Sequence, residues 1–462
     1  METLKKNKVL SIVTLLIILL FLASNLCIIN IYPKLELIVY VVLCLVPLVV
    51  VGVIGSKLLD KLYQKILLWA ILFLILCFII LHSGIESNDY SVYLLTWYEG
   101  YANVPVKDAL YKITDISNYT PFYNYILIIL AKLKLNPLLS IKYITFLSSF
   151  LLAYSIEKII TNIRGSKFNF LRFASVLILP PVLLEYTAWG QCDAIYTSFA
   201  LLSFYFALNK KSKLSFLFIG LSFITKLQFL FIVPILFIML IVKDENGEKY
   251  LKWRDIWIAP SMYIINLVPA LAGKSVIELL LIYLQQSVYD LRLSGNCANI
   301  AYCFQELNFP YAGGIIYVLL FIITFIIMAS LIIFILKCNE KQNLTKEDFV
   351  FFGMVFSFIM VFFMPKMLDR FYFISMCLSF IYLFIKPSKV SFLSFILNLN
   401  ALYFMMSKYL INTIVINVIF GFFGVVSAII NIVLIAYCLY KNYYQRLFKK
   451  NKLSHTSKER VE

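Results

Sequence analysis

Apolar residues recur along this chain in blocks close to twenty long, separated by short polar stretches rich in lysine. A helix needs about 20 mostly apolar residues to cross ~30 Å of hydrocarbon. On that measure the pattern predicts spans at 9–31, 35–56, 66–82, 137–160, 170–186, 193–208, 213–225, 228–242, 255–271, 311–337, 348–364, 371–386, 390–407 and 411–440. The expected fold class is an all-α polytopic membrane protein with about 13–14 transmembrane helices, one integral-membrane domain over 1–462. Composition agrees. The chain is 62% hydrophobic and 14% charged, whereas soluble domains run near 45–50% apolar and ~25% charged. No polar stretch is long enough to fold alone. The first block reads as a span and not a cleaved signal, because it is long and no small-residue cleavage site follows it.

Charge then orients the bundle. The chain carries 41 Lys and Arg against 24 Asp and Glu, a net charge of +17. In a soluble protein that excess would suggest nucleic acid; here it lies between apolar runs, so no nucleic-acid partner is expected. With the N-terminus inside, most of the basic residues fall on inner segments, such as Lys57, Lys61 and Lys65 or Lys210, Lys211 and Lys213. The outer segments come out close to neutral. Both termini are expected in the cytoplasm of a cell-membrane protein, with 441–462 a basic tail lying against anionic lipid.

Two outer loops are long: 83–120, extended to 136 by an apolar stretch, and 272–310. Residues 121–134 are too short and too basic at their end to cross, so they are expected as a re-entrant or surface-lying helix. Residues 274–290 are expected as a second surface helix. Cys297 and Cys303 share the second loop, where a disulfide is compatible with the sequence but nothing in it demands one.

The outer segments collect the polar side chains. Asp89 lies in SGIESNDYSVY beside Tyr90, and Asn118 and Tyr119 lie in NYTPFYNY. Trp189, Gln191 and Asp193 follow Glu185 in EYTAWGQCDAIY, and TKLQ supplies Lys226 and Gln228. The second loop adds Asp290, Arg292, Asn296 and Asn299, and PKMLDRFYF adds Lys366, Asp369 and Arg370. Each has a plainer role open to it. Asp89 is placed to cap the following helix, Trp189 and the tyrosines to form an interfacial belt, and Asp369 with Arg370 a local ion pair. His82, at a span end, is expected to be structural. Lys226 has no acidic neighbour in sequence, and intramembrane charge is costly, so it either snorkels outward or meets an anion.

Together these residue types suit lipid-linked chemistry. Cations at an interface (Lys226, Arg292, Arg370) hold a lipid phosphate whose tail stays in the bilayer. A carboxylate over that pocket serves as general base. Amides and aromatics suit sugar hydroxyls and ring faces. No glycine-rich nucleotide loop is present on the inner side, so the donor is expected to be lipid-bound.

These fragments, spread over residues 84 to 373, resemble the GT-C superfamily of polyprenyl-phosphate-sugar-dependent glycosyltransferases. The likeness is to bacterial proteins similar to the second mannosyltransferase of GPI-anchor assembly. The residues carrying it are Asp89, NYTPFYNY, WGQCDAIY, TKLQ, LSGNCANIAY and PKMLDRFYF. The resemblance implies a GT-C-like bundle with an extracytoplasmic active site and Asp89 as catalytic base. Lys226, Arg292 and Arg370 would hold the donor phosphate. Tyr90, Asn118, Tyr119, Trp189, Gln191, Asp193, Gln228, Asn296, Asn299 and Asp369 would bind substrate. The implied reaction is inverting transfer of a mannose-like hexose from a polyprenyl-phosphate sugar to a glycan or glycolipid hydroxyl. A divalent metal is compatible with Asp89 and Asp193 but not required. The family's late motif is usually Pro-x-Met-His-Glu-Arg-Tyr; here Leu368, Asp369 and Phe371 stand at the His, Glu and Tyr positions, with Met367 and Arg370 matching.

Two other classes fit the same hydropathy: an envelope polysaccharide polymerase or ligase, and a non-enzymatic transporter of lipid-linked sugars. Polymerases usually work through a late loop, and transporters show paired repeats with polar residues at the midplane; this chain does neither. The orientation is checked by reporter fusions. Fusions after Lys210 and Ser388 are expected to report cytoplasm, and fusions after Val104 and Asn296 the outside.

Overall fold

The computed structural model describes residues 28–272, 274–289, 292–307, 313–411 and 414–445. Among them all regular structure is helical, apart from isolated bridges. Most of the first expected span, Asp290 and most of the basic tail lie outside the described residues.

Helices form where the apolar blocks predict them. The blocks read at 193–208 and 213–225 become Asp193–Leu208 and Ser212–Thr225, and those at 137–160 and 390–407 become Pro137–Arg164 and Lys389–Leu410. Helix length is where expectation and structure differ. Six described helices are long and apolar enough to cross a bilayer, or seven if the pair Phe170–Leu177 and Pro180–Trp189, bent by 60°, counts as one. Thirteen to fourteen were expected on hydropathy. Proline supplies much of the difference, since it removes a donor and clashes with the preceding turn. Pro180 and Pro181 restart a helix after the bend. Pro234 opens the nine-residue helix Val233–Ile241, and the block at 255–271 ends in a 3-10 turn, Val268–Ala272, that contains Pro269. At 1.5 Å per residue, helices this short do not reach across ~30 Å alone.

Within the single membrane domain expected over 1–462, the chain groups into two compact units. The first is 1–230, 252–292 and 405–420; the second is 231–251, 293–404 and 421–462. In the first, Glu36–Leu58 and Leu62–Leu81 form a hairpin whose Gly52 and Gly55 accept Trp69 and Leu68 against the backbone. Asp193–Leu208 packs between Pro137–Arg164 and Ser212–Thr225. The stretch 121–134 is a 12-residue helix, Pro121–Lys132, with Tyr123, Leu127 and Ile128 buried. Its basic end folds inward: the Lys132 ammonium donates to the carbonyls of Tyr101 and Val104. The stretch 274–290 is two short helices, Val276–Leu280 and Ile282–Tyr289, tied to the first loop by Lys274 and Asp115 at 2.7 Å.

In the second unit, Lys346–Phe363 packs on Phe373–Ile385, with Phe351 against Tyr382 and Phe358 against Tyr372 at the start of that helix. Hydroxyl–amide bonds cross its helices, Ser375 to Asn398 at 2.8 Å and Ser394 to Asn431 at 3.0 Å. The helix Gly313–Lys341 exposes an apolar face including Ile315, Val318, Phe325 and Ile326. Such a face belongs in lipid.

Gly190 turns the chain between the π-helical turn Glu185–Trp189 and Asp193–Leu208, with φ +68°. A Cβ there would lie 3.3 Å from Cγ2 of Ile141, whereas at Gly165 (φ +60°) it would meet nothing within 4 Å. Gly165→Ala is expected to cost the backbone term alone, about 1–2 kcal/mol. Gly190→Ala should lower the unfolding temperature in detergent by more.

Candidate functional site

The first site segment leaves the helix Leu62–Leu81. The last carbonyls of a helix have no intrahelical partner, and here His82 and Ser83 are fully buried. The Lys142 ammonium, on the neighbouring helix, donates to the carbonyls of His82 (2.8 Å), Ser83 (3.1 Å) and Ile85 (2.7 Å). Nδ1 of His82 is 3.0 Å from the Thr187 hydroxyl, which itself donates to the Leu183 carbonyl; the imidazole therefore donates, a structural role as expected. Two residues further, the Ser87 hydroxyl donates to the carbonyl of Trp189 at 3.0 Å and accepts from the amide of Tyr90. Asp89 follows, half-buried. Its side chain makes no capping bond to the π-helical turn Tyr90–Leu94 that it precedes.

Asp89 instead accepts from Nε2 of Gln191, at 3.1 Å. The other end of that amide accepts from the Tyr119 hydroxyl at 3.4 Å, so the nitrogen is the end facing the carboxylate. Gln191 is 2% exposed, and its carbonyl accepts from Thr145 at 3.1 Å. Three fragments far apart in sequence meet here: the first loop, NYTPFYNY and WGQCDAIY. The Tyr119 ring packs on Trp97 with centroids 5.0 Å apart, and Asn124 holds the turn by donating to the carbonyls of Tyr119 and Thr120. Oδ1 of Asn118 is buried with no hydrogen-bond partner among the described residues, and so is Oε1 of Gln228. Buried acceptors of this kind call for a donor. Tyr90 and Trp189 are 3% and 2% exposed. Neither belongs to a solvent-facing aromatic belt, and burial pushes the Tyr90 phenol up, keeping it neutral.

Behind Gln191 lies a buried ionic group. Lys226 Nζ sits 2.8 Å from Oδ1 of Asp193, with side-chain exposures of 3% and 0%. The amide of Asp193 donates to the Glu185 carboxylate at 3.3 Å, and the ammonium lies 5.7 Å from the Tyr196 ring centroid. Of the two expectations for Lys226, outward snorkelling is therefore wrong; it meets an anion supplied by the chain itself. Its charge is compensated before any ligand arrives. Arg292 belongs to the same unit and is exposed.

In the second unit the two late fragments fold against each other. The amide of Gly295 donates to the Met367 carbonyl at 2.9 Å, that of Lys366 to Leu293 and that of Asp369 to Gly295. Asn296 takes a left-handed conformation, φ +65°. Asn299 is fully buried; it caps Ile300–Glu306 through the Tyr302 amide and donates to the carbonyls of Val361 and Met364. That clamp gives Asn299 a structural task in place of an obvious ligand-facing one. Asp369 and Arg370 form the local pair at 3.1 Å, 4% exposed on each side. Cys297 and Cys303 are both free thiols.

Lys142, Ser87, Thr145 and Glu185 are the site residues that sequence reasoning passed over as functional. Glu185 and Lys142 each carry a signal, a charge in an apolar block; a hydroxyl inside a span carries none of its own. Among the described residues no three His, Cys, Asp or Glu side chains gather as a metal would need. Compared with protein-family models and with curated proteins, the chain gives no match.

What the arrangement can do is plain chemistry. A half-buried carboxylate with one oxygen held by the Gln191 amide accepts a proton at a fixed position, with the Tyr119 hydroxyl on the other end of that amide. Removing one partner of a buried pair strands the other's charge, at about 3–5 kcal/mol. Lys226→Met and Asp193→Asn are each expected to destabilise on that scale, and the double variant by less than their sum, read by unfolding in detergent.

Proposed function

We propose that this membrane protein is a glycosyltransferase of the GT-C kind, moving a hexose from a polyprenyl-phosphate donor to an extracytoplasmic hydroxyl, with Asp89 as general base. The observation that carries the reading is the hydrogen bond from Gln191 to Asp89, 102 residues apart. It joins two fragments on which the resemblance rests, and Tyr119 adds the third. In the step proposed, Asp89 takes the proton of the acceptor hydroxyl as its oxygen attacks the anomeric carbon. The bond from that carbon to the phosphate oxygen breaks, the lipid phosphate leaves with the electron pair, and the anomeric centre inverts.

The buried pair refines the roles. Lys226 is engaged with an aspartate, so it would hold donor phosphate by sharing its charge. Arg292 is exposed and is a further cation for the donor phosphate. Asn118 and Gln228 offer oxygens to sugar hydroxyls. A positioned general base contributes roughly 10²–10⁴-fold. Asp89→Asn keeps the size and the folded state and is expected to lose transfer by that order. The measurement is mass spectrometry of envelope glycans and lipid-linked sugars in wild type, deletion and Asp89→Asn. Loss of one sugar in both mutants, with its lipid-phosphate form accumulating, supports the reading. Intact repeat units that fail to polymerise would favour the polymerase, and wild-type glycans in Asp89→Asn would remove Asp89 as base.

A further inference from the structure

We infer that Lys142 is the positioning residue of this site: its ammonium pins the segment 82–85 to the helix Pro137–Arg164, and so sets where the Asp89 carboxylate stands relative to Gln191. Three carbonyls, those of His82, Ser83 and Ile85, each accept from Lys142 Nζ within 3.1 Å. Only the ammonium form has three N–H bonds to give, and once all three are used it has none left for a substrate or phosphate. Lys142 is 1% exposed, so water does not take its place. A cation here also meets the negative end of the Leu62–Leu81 helix dipole.

The same helix holds the other half of the site. Thr145, three residues on and therefore on the same face, donates to the Gln191 carbonyl at 3.1 Å. Asp89 follows Ile85 by four residues and Gln191 follows the Gly190 turn, so a single helix face supplies the reference for both. Gly190 packs close to this face: a Cβ on it would lie 3.3 Å from Cγ2 of Ile141 and in ordinary contact, 3.9 Å, with Cγ of Lys142. The Ser87 bond to the Trp189 carbonyl ties the two segments between these anchors. Without Lys142, three buried carbonyls lose their donor, and the segment must shift until they find another. Asp89 moves with it.

The activity consequence rests on the proposed role of Asp89; the geometric one does not, and the experiment reads both. In the full chain in detergent, Asp89→Cys and Gln191→Cys are paired and treated with a short bis-thiosulfonate, and the linked peptide is quantified by mass spectrometry. Lys142→Met is expected to cut the linked yield severalfold relative to Lys142. Lys142→Ala is expected to behave alike and to recover on adding n-propylammonium, which replaces the missing atoms from Cγ to Nζ. Unchanged linking in Lys142→Met, or no recovery with the amine, would overturn the inference. If Lys142→Met does not fold, Lys142→Arg decides: a planar guanidinium keeps the charge but cannot converge on three carbonyls, so wild-type linking in that variant also overturns it. In transfer assays with otherwise native side chains, Lys142→Met should lower kcat about a hundredfold with KM for the donor unchanged. Disturbed linking with full transfer would leave Lys142 as the anchor and remove Asp89 from catalysis.

Discussion

A charge inside an apolar bundle persists only where something of opposite sign, or a set of well-aimed dipoles, surrounds it. The buried and half-buried cations of this protein obey that constraint in different ways. Lys226 faces Asp193, Arg370 faces Asp369, and Arg172 makes a two-pronged contact with the buried Glu157. Lys142 sits on three carbonyls. All of these but the local Asp369–Arg370 pair tie segments that hydrophobic packing alone would leave free to slide, since the hydrophobic effect is non-directional. The polar contacts set the register of the candidate site.

The candidate site therefore has two kinds of residue. Asp89, Gln191 and Tyr119 form a chain of side-chain hydrogen bonds in which each member orients the next. Around them, Lys142, Ser87 and Thr145 bond to backbone carbonyls and fix the segments themselves. The two π-helical turns, one starting after Asp89 and one ending before Gly190, lie in these segments. Such turns widen the helix by a residue and re-aim the side chains around them, which is one reason they gather at functional sites.

Much of the chain's organisation was legible from the sequence. Helix positions follow the apolar blocks to within a few residues, as at Ser212–Thr225 and Phe373–Ile385, and polar fragments such as EYTAWGQCDAIY do lie at the site. Helix lengths were less legible, because hydropathy counts apolar residues without regard to where Pro180, Pro181 or Pro234 interrupts a helix. Lys226 was noticed as a costly charge, but its partner lies 33 residues away and nothing in the local pattern names it. Lys142 was passed over: in PLLSIKYITF it is the same kind of charge in an apolar block, and nothing local names the three carbonyls it meets.

The amino-acid sequence by itself determined that the chain is helical, built for a bilayer, and strongly positive. Those properties follow from summed hydropathy and from the need of each backbone group in lipid to be satisfied within its own segment. Only the tertiary structure decided which polar groups meet. The contacts that shape the site join residues 46 to 102 positions apart, and a contact at that separation depends on how helices pack, a property that no single segment carries.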